Sequence, residues 1–175
     1  MTRKPAGYSI RTAKPSDIAL IAAQRRAMFA DVGRDDKRQL DRMDRKFAAW
    51  VRPRLRTGEY REWFAVDREG EVAAGAALWI MEWPPVPMDC TTRRGYVLNV
   101  YTHPSHRRKG LARMLMKAIL GWCRGKGFVM VTLHASDYGR PLYGALGFKP
   151  TSEMRLQLRK DTGPRRRARR NSRAR

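Results

Sequence analysis

The chain has 175 residues, 42% hydrophobic and 31% charged, which is the size and balance of one globular domain. No run approaches the roughly 18 apolar residues of a membrane helix, Met1 to Pro5 begins no apolar leader, and Cys90 and Cys123 lack metal-ligand spacing. These features argue against a membrane span, a secretory signal and a structural metal, and make the cytoplasm the default location.

Net charge is +22, and the segment Arg159 to Arg175 supplies +8 of it, leaving +14 on the body. Such a chain attracts polyanions, whether nucleic acid, an anionic surface or a phosphorylated cofactor. The sign alone does not choose among them.

In chain order, Tyr8 to Thr12 reads as a short strand. Pro15-Ser16-Asp17 then starts a helix, with Ser16 or Asp17 able to cap its first turn. Ile18, Ile21, Ala22, Met28 and Phe29 give that helix an apolar face. A second helix spans Asp36 to Arg56 through Leu40, Met43, Phe47, Trp50 and Val51, with Pro53 expected to end or kink it. The period then changes. Trp63 to Asp67 reads as a strand, Arg68 to Glu71 as a hairpin turn with Gly70, and Val72 to Trp83 as a longer strand stopped by Pro84-Pro85. After a loop at Pro85 to Thr92, Arg94 to His103 is a third strand of this meander.

The helix after it is the clearest in the sequence. Leu111, Met114, Leu115, Ala118, Ile119 and Trp122 hold one face, and Gly125 and Gly127 close it. Phe128 to His134 reads as a buried strand, Arg140 to Leu146 as a short helix ended by Gly147, and Glu153 to Leu158 as a last strand. Two helices, an antiparallel meander and a strand–helix–strand crossover predict a mixed α/β (α+β) sheet in residues 1–159. The Arg-rich remainder, 160–175, has almost nothing to bury and is expected to be disordered.

The segment Arg107-Arg108-Lys109-Gly110-Leu111-Ala112 joins a strand to the start of an amphipathic helix. A helix N-terminus offers unpaired N–H groups and a positive dipole end, which suit a phosphate. Gly110 removes a side chain where a phosphate would approach backbone, Ala112 is small, and the three preceding residues add positive charge. An exposed basic turn capped by glycine is the other reading of these six residues. Neither GxxxxGK[ST] nor GxGxxG occurs.

Two longer stretches resolve that choice. VLNVYTHPSHRRKGLA, Val97 to Ala112, resembles the acyl-CoA-binding signature of the GNAT superfamily of N-acetyltransferases, a strand followed by [QR]-x-x-G-x-[GA]. LHASDYGRPLYGALGF, Leu133 to Phe148, resembles that family's second signature, ending in L-Y-x-x-L-G-F. The resemblance covers about residues 7–158. It implies a mainly antiparallel sheet that splays at an acyl-CoA site, and an acetyl-CoA-dependent N-acetyltransferase acting on a primary amine in a ternary complex, without a metal.

By the same resemblance, Val100, Tyr101 and Thr102 hold the pantetheine arm. Backbone amides of Arg108, Lys109, Gly110, Leu111 and Ala112, helped by the Arg107 side chain, hold the pyrophosphate. Tyr143 matches the tyrosine that protonates the departing sulfur. Ser136 stands where many members carry asparagine, so its part in cofactor binding is reduced by its shorter reach. Glu82 is a candidate base or a solvated surface carboxylate. His103 and His134 read better as structural groups, the latter as a satisfied interior side chain. Trp83, Asn99 and Tyr60 are candidate acceptor contacts. A homodimer is common among similar proteins. The arginine tail reads as a solvated segment with incidental polyanion binding, and a basic regulatory protein that has lost activity is the competing function.

Overall fold

The computed structural model describes residues 5–158. The expected tail at 160–175 lies outside the described residues. Five strands follow one another across a single sheet: β1 (Ser9–Thr12), β2 (Tyr60–Val66), β3 (Val72–Glu82), β4 (Arg93–Thr102) and β5 (Val131–Leu133). The first four pair antiparallel, while β5 joins β4 in parallel after the crossover. This is the mixed, mainly antiparallel sheet that the order of elements predicts.

Both faces of the sheet are covered, which explains why β2 and β3 read as almost continuous apolar runs. α1 (Ile18–Asp31) and α2 (Lys37–Thr57) set Ile18, Ile21, Phe47 and Val51 against Tyr60, Phe64, Val66 and Ala77. α3 (Leu111–Gly125) sets Leu111, Leu115, Met116 and Ile119 against Trp63, Ala65, Ala76, Leu78 and Val97 on the other face. α4 (Arg140–Gly144) adds Tyr143 to the edge of that second cluster. Successive β2 residues therefore feed alternate cores.

Several boundaries differ from the sequence reading. Asp17 lies in a 3-10 turn, Pro15–Asp17, and its carboxylate accepts from the Lys14 amide at 2.6 Å instead of capping α1. α2 continues one turn past Pro53 to Thr57 and stops where Gly58 adopts φ 79°. Burial of Phe47 and Val51 in the core holds the helix through the bond that proline removes. β5 keeps only three residues, paired with Gly95 to Val97. The last expected strand does not form: residues 151–158 carry no regular structure, and Met154, Leu156 and Leu158 face solvent. Their apolar alternation meets no covering layer, so the pattern has nothing to specify. No helix among the described residues is long and apolar enough to cross a membrane.

Candidate active site

Three structural features converge around the C-terminal half of β4. The first is the loop that leaves it. After a 3-10 turn at Pro104–His106, Arg108 takes φ 63° and Gly110 takes φ 80°. Two left-handed positions so close together turn the chain sharply into α3. Gly110 is the N-cap and has no side chain, and no side-chain cap is made to the first-turn amides of α3. The amides of Leu111, Ala112 and Arg113 precede the first helical bond, Met114 N–H to the Gly110 carbonyl at 3.0 Å. They make a cradle whose geometry and dipole suit an anion.

Arg108 and Lys109 are exposed beside this cradle. Arg107 is differently placed from the sequence expectation. Its Nε donates to the Thr102 carbonyl at 3.1 Å, and its guanidinium pairs with Asp31 at the end of α1. In this position it ties the loop to β4 and α1.

The second feature is a bulge in β4. Gly75 faces Tyr101 and Ala77 faces Leu98, so Ala76 alone opposes both Asn99 and Val100. Asn99 takes φ 54°, a conformation asparagine tolerates better than most residues. The third feature is a fork. The last pairing of β4 with β5 is Val97 with Leu133, and β4 then continues through Leu98 to Thr102 without a β5 partner. The splay implied by the family resemblance is present at the bulge.

Beneath the bulge, on the α1/α2 face, lies a buried polar chain. Arg25 donates to Asn99 Oδ1 at 2.5 Å, Asn99 Nδ2 donates to the Tyr60 hydroxyl at 3.0 Å, and that hydroxyl donates to Glu62 Oε2. The Arg25 guanidinium lies over the rings of both Phe29 and Phe47, at 4.9 and 4.6 Å. Burial pushes the Glu62 carboxyl up to about 8, against the lowering effect of the Tyr60 bond. Burial also raises the Tyr60 phenol well above its usual value, with the Glu62 charge acting in the same direction. Glu62 Oε1 and Gln24 Oε1 are buried without a partner among the described residues. Gly75 makes their space: a Cβ there would sit 2.2 Å from the Gln24 oxygen and 2.9 Å from the Glu62 oxygen.

The remaining expected residues separate into two groups. Tyr143 stands half-buried on α4 against Phe148, with Gly139 packed so closely under its ring that a Cβ would come within 2.7 Å. Burial raises its phenol above the usual value, which keeps it protonated. Ser136 Oγ accepts from the Gly139 amide at 3.2 Å, shaping the turn into α4. Glu82 is exposed and pairs across from Arg93 at the opposite end of β4, roughly 20 Å along the strand from Asn99. Trp83 lies at that same end under the Arg94 guanidinium, 3.7 Å from its ring centre. Tyr60 and Asn99 lie at the bulge but are buried. His134, expected in the interior, is exposed just past the end of β5.

Gln24, Arg25, Glu62 and Tyr96 were not singled out by sequence reasoning. Glu62 had a usable signal: it alternates in phase with Tyr60 and Phe64, an apolar face on which a lone carboxylate demands an explanation.

The sequence profile of the Acetyltransferase (GNAT) family matches residues 22–148. The chain belongs to the GNAT acetyltransferase family. A GCN5-related N-acetyltransferase from Ralstonia eutropha JMP134 is similar over 87% of this chain and 99% of its own, at 37% identity and a TM-score of 0.81. A protein from Clostridium acetobutylicum, described as a predicted acetyltransferase with acetyl-CoA, is 28% identical over 87% of this chain and 96% of its own, with a TM-score of 0.79. The glucosamine-6-phosphate N-acetyltransferase of Arabidopsis thaliana shares the fold at 17% identity, covering 88% of this chain and 99% of its own, with a TM-score of 0.60. GNAT enzymes transfer acetyl groups from acetyl-CoA to amines, so the fork and cradle of this chain acquire a chemical reading.

Proposed function

We propose that this chain is an N-acetyltransferase that moves an acetyl group from acetyl-CoA to a primary amine by direct attack, with a small molecule as acceptor. The observation that carries the reading is the side-chain-free cradle at Arg108–Ala112 opening onto the unpaired run of β4. Its amides and the adjacent Arg108 and Lys109 charges suit a pyrophosphate. The run Val100–Tyr101–Thr102 suits an extended amide-bearing arm laid alongside as a further strand.

Acetyl-CoA supplies an activated acyl group, and the chain supplies alignment, a donor for the carbonyl oxygen, and proton transfer. The Val100 amide at the bulge is the proposed oxygen donor, with Asn99 held in place by Arg25 and Tyr60. Tyr143 is the proposed acid for the sulfur, and Ser136 holds the turn that presents it. Glu82 lies too far from the bulge to serve the reacting atoms in this arrangement, and Trp83 accompanies it. The acceptor side is instead walled by Trp50, Trp79 and Tyr96 in successive edge-to-face contacts of 5.1 and 6.4 Å. A cytoplasmic enzyme, a homodimer, and incidental polyanion attraction by residues 160–175 complete the reading.

The test is twofold: calorimetric titration with acetyl-CoA, then thiol release in the presence of ethanolamine, benzylamine, lysinamide and glucosamine. Micromolar binding with amine-dependent thiol release is expected. Tight, salt-sensitive nucleic-acid binding without acetyl-CoA binding would instead favour the regulatory alternative.

A further inference from the structure

Around the last β4–β5 pairs, the structure places a hydroxyl, an imidazole and a carboxylate in series. The Tyr96 hydroxyl meets His134 Nδ1, and His134 Nε2 meets Glu153 Oε1 at 2.9 Å. The three groups come from β4, from the residue following β5, and from the irregular 151–158 segment. Nothing in the packing of the sheet requires them to meet, since His134 and Glu153 keep 49% and 64% of their side chains exposed.

The position matters as much as the contact. Tyr96 pairs with Thr132 and Val97 with Leu133, so alternation puts His134 on the same face as Tyr96. That face carries α1 and α2, because the Tyr96 ring packs edge-on against Trp79 and Trp79 against Trp50 of α2. The cradle at the start of α3 and Tyr143 belong to the elements of the opposite face. A thioester entering the fork from the α3 side therefore leaves the Tyr96 face as the approach for an amine.

The chemistry of the series fixes its direction. An ionised Glu153 can only accept, so the proton of neutral His134 lies on Nε2. Nδ1 is then a lone pair and accepts from the Tyr96 hydroxyl. This is the arrangement of an activated hydroxyl, with an imidazole behind it and a carboxylate orienting the imidazole. The other candidates are differently occupied. Glu62 is fully buried under Tyr60, Glu82 is at the far end of the strand, His103 bonds Ser105, and His106 bonds Tyr8.

Resting on the acetyltransferase reading above, we infer that Tyr96, His134 and Glu153 form the proton-accepting relay for the attacking amine. The C–N bond forms and the C–S bond breaks. One N–H proton passes to Tyr96 Oη while the Tyr96 proton moves to His134 Nδ1. Glu153 balances the imidazolium, which later returns its proton to water, and the sulfur takes its proton from Tyr143, which water then reprotonates. Burial, and then the Glu153 charge, hold the Tyr96 phenol above its usual value. Its two proton transfers are therefore concerted, with no free phenolate. Tyr96 is the catalytic residue here, and His134 and Glu153 act through it.

The experiment compares wild type with Tyr96→Phe, His134→Ala and Glu153→Gln, using acetyl-CoA calorimetry and thiol release with the same four amines. The relay predicts acetyl-CoA affinity within about twofold of wild type in all three. It also predicts kcat lowered on the order of 100-fold in Tyr96→Phe and His134→Ala, and about tenfold in Glu153→Gln. Free imidazole in the buffer restores turnover to His134→Ala, which a merely structural histidine would not allow. Turnover within threefold of wild type in His134→Ala, or a loss that imidazole leaves untouched, overturns the relay while the acetyltransferase reading stands. A wild-type protein that binds acetyl-CoA but acetylates none of the amines overturns that reading, and the relay with it.

Discussion

Glu62 carries a carboxyl into the core on the same strand face as Tyr60 and Phe64, and its protonation is tied to folding. Burial raises it from the ordinary 4.5 to about 8. Below pH 4.5 the group is neutral in both folded and unfolded chains, so it contributes no penalty. Between those values the unfolded chain releases a proton that the folded chain keeps, and stability falls by about 1.4 kcal/mol for each pH unit. Above about 8 the loss is complete. Glu62→Gln keeps the shape and removes the titration, so its melting temperature at pH 8.5 should exceed that of wild type while the two agree near pH 4.5. A wild-type curve flat over this range would show that Glu62 is ionised in the core.

Tyr143 poses the complementary case, as the proposed acid for the sulfur. Its hydroxyl is offered as a donor to sulfur, so Tyr143→Phe should lower kcat by roughly 10- to 100-fold with acetyl-CoA affinity little changed. Equal loss in binding would assign the residue to packing against Phe148 instead. Tyr143 is proposed for this role because the L-Y-x-x-L-G-F pattern is local and visible in the sequence. Glu62 was missed because the strand reading began at Trp63, whereas β2 starts at Tyr60.

At the scale of elements, β3 and β4 owe their fit to a missing side chain. Gly75 opposes Tyr101 just beside the bulge, and both Gln24 and Glu62 reach into the volume that a Cβ would fill. Gly75→Ala must displace two buried oxygens, one of them only 2.2 Å away, and should cost about 1–3 kcal/mol in chemical denaturation. A mutant as stable as wild type would mean that Gln24 swings clear without loss.

Elements whose pattern is self-contained were read well from sequence, α3 above all, since its period of 3.6 needs no partner to be visible. The length of β5 depends on where β4 turns away from it, which the run Phe128 to His134 does not encode. Glu153 to Leu158 fails for the same reason: alternation describes a strand only if a sheet edge accepts it. One of its side chains nevertheless reaches His134, so the segment touches the proposed relay without joining the sheet.

Across the whole molecule the two halves of the site have different origins. The proposed phosphate cradle is contiguous, from β4 into α3, and its segment stands out in the sequence alone. The proposed acceptor half would be assembled from α1, α2, β3, β4 and the residue after β5, so Arg25, Trp50, Trp79, Tyr96 and His134 come together only after folding. No spacing along the chain links them. Positive charge is likewise distributed over the body, where it would attract an anionic cosubstrate or acceptor alike.

The fork has a consequence for handling the protein as well as for its chemistry. Among the described residues, a run of β4 from Leu98 to Thr102 lacks a strand neighbour on its β5 side, and an unpaired strand edge is a template for another chain. Acetyl-CoA laid along that edge would act as a stopper against self-association. Concentrated samples kept without it should form oligomers and scatter light sooner than samples kept with it. Light scattering on matched samples, with acetyl-CoA as the only variable, measures how far the ligand protects the edge.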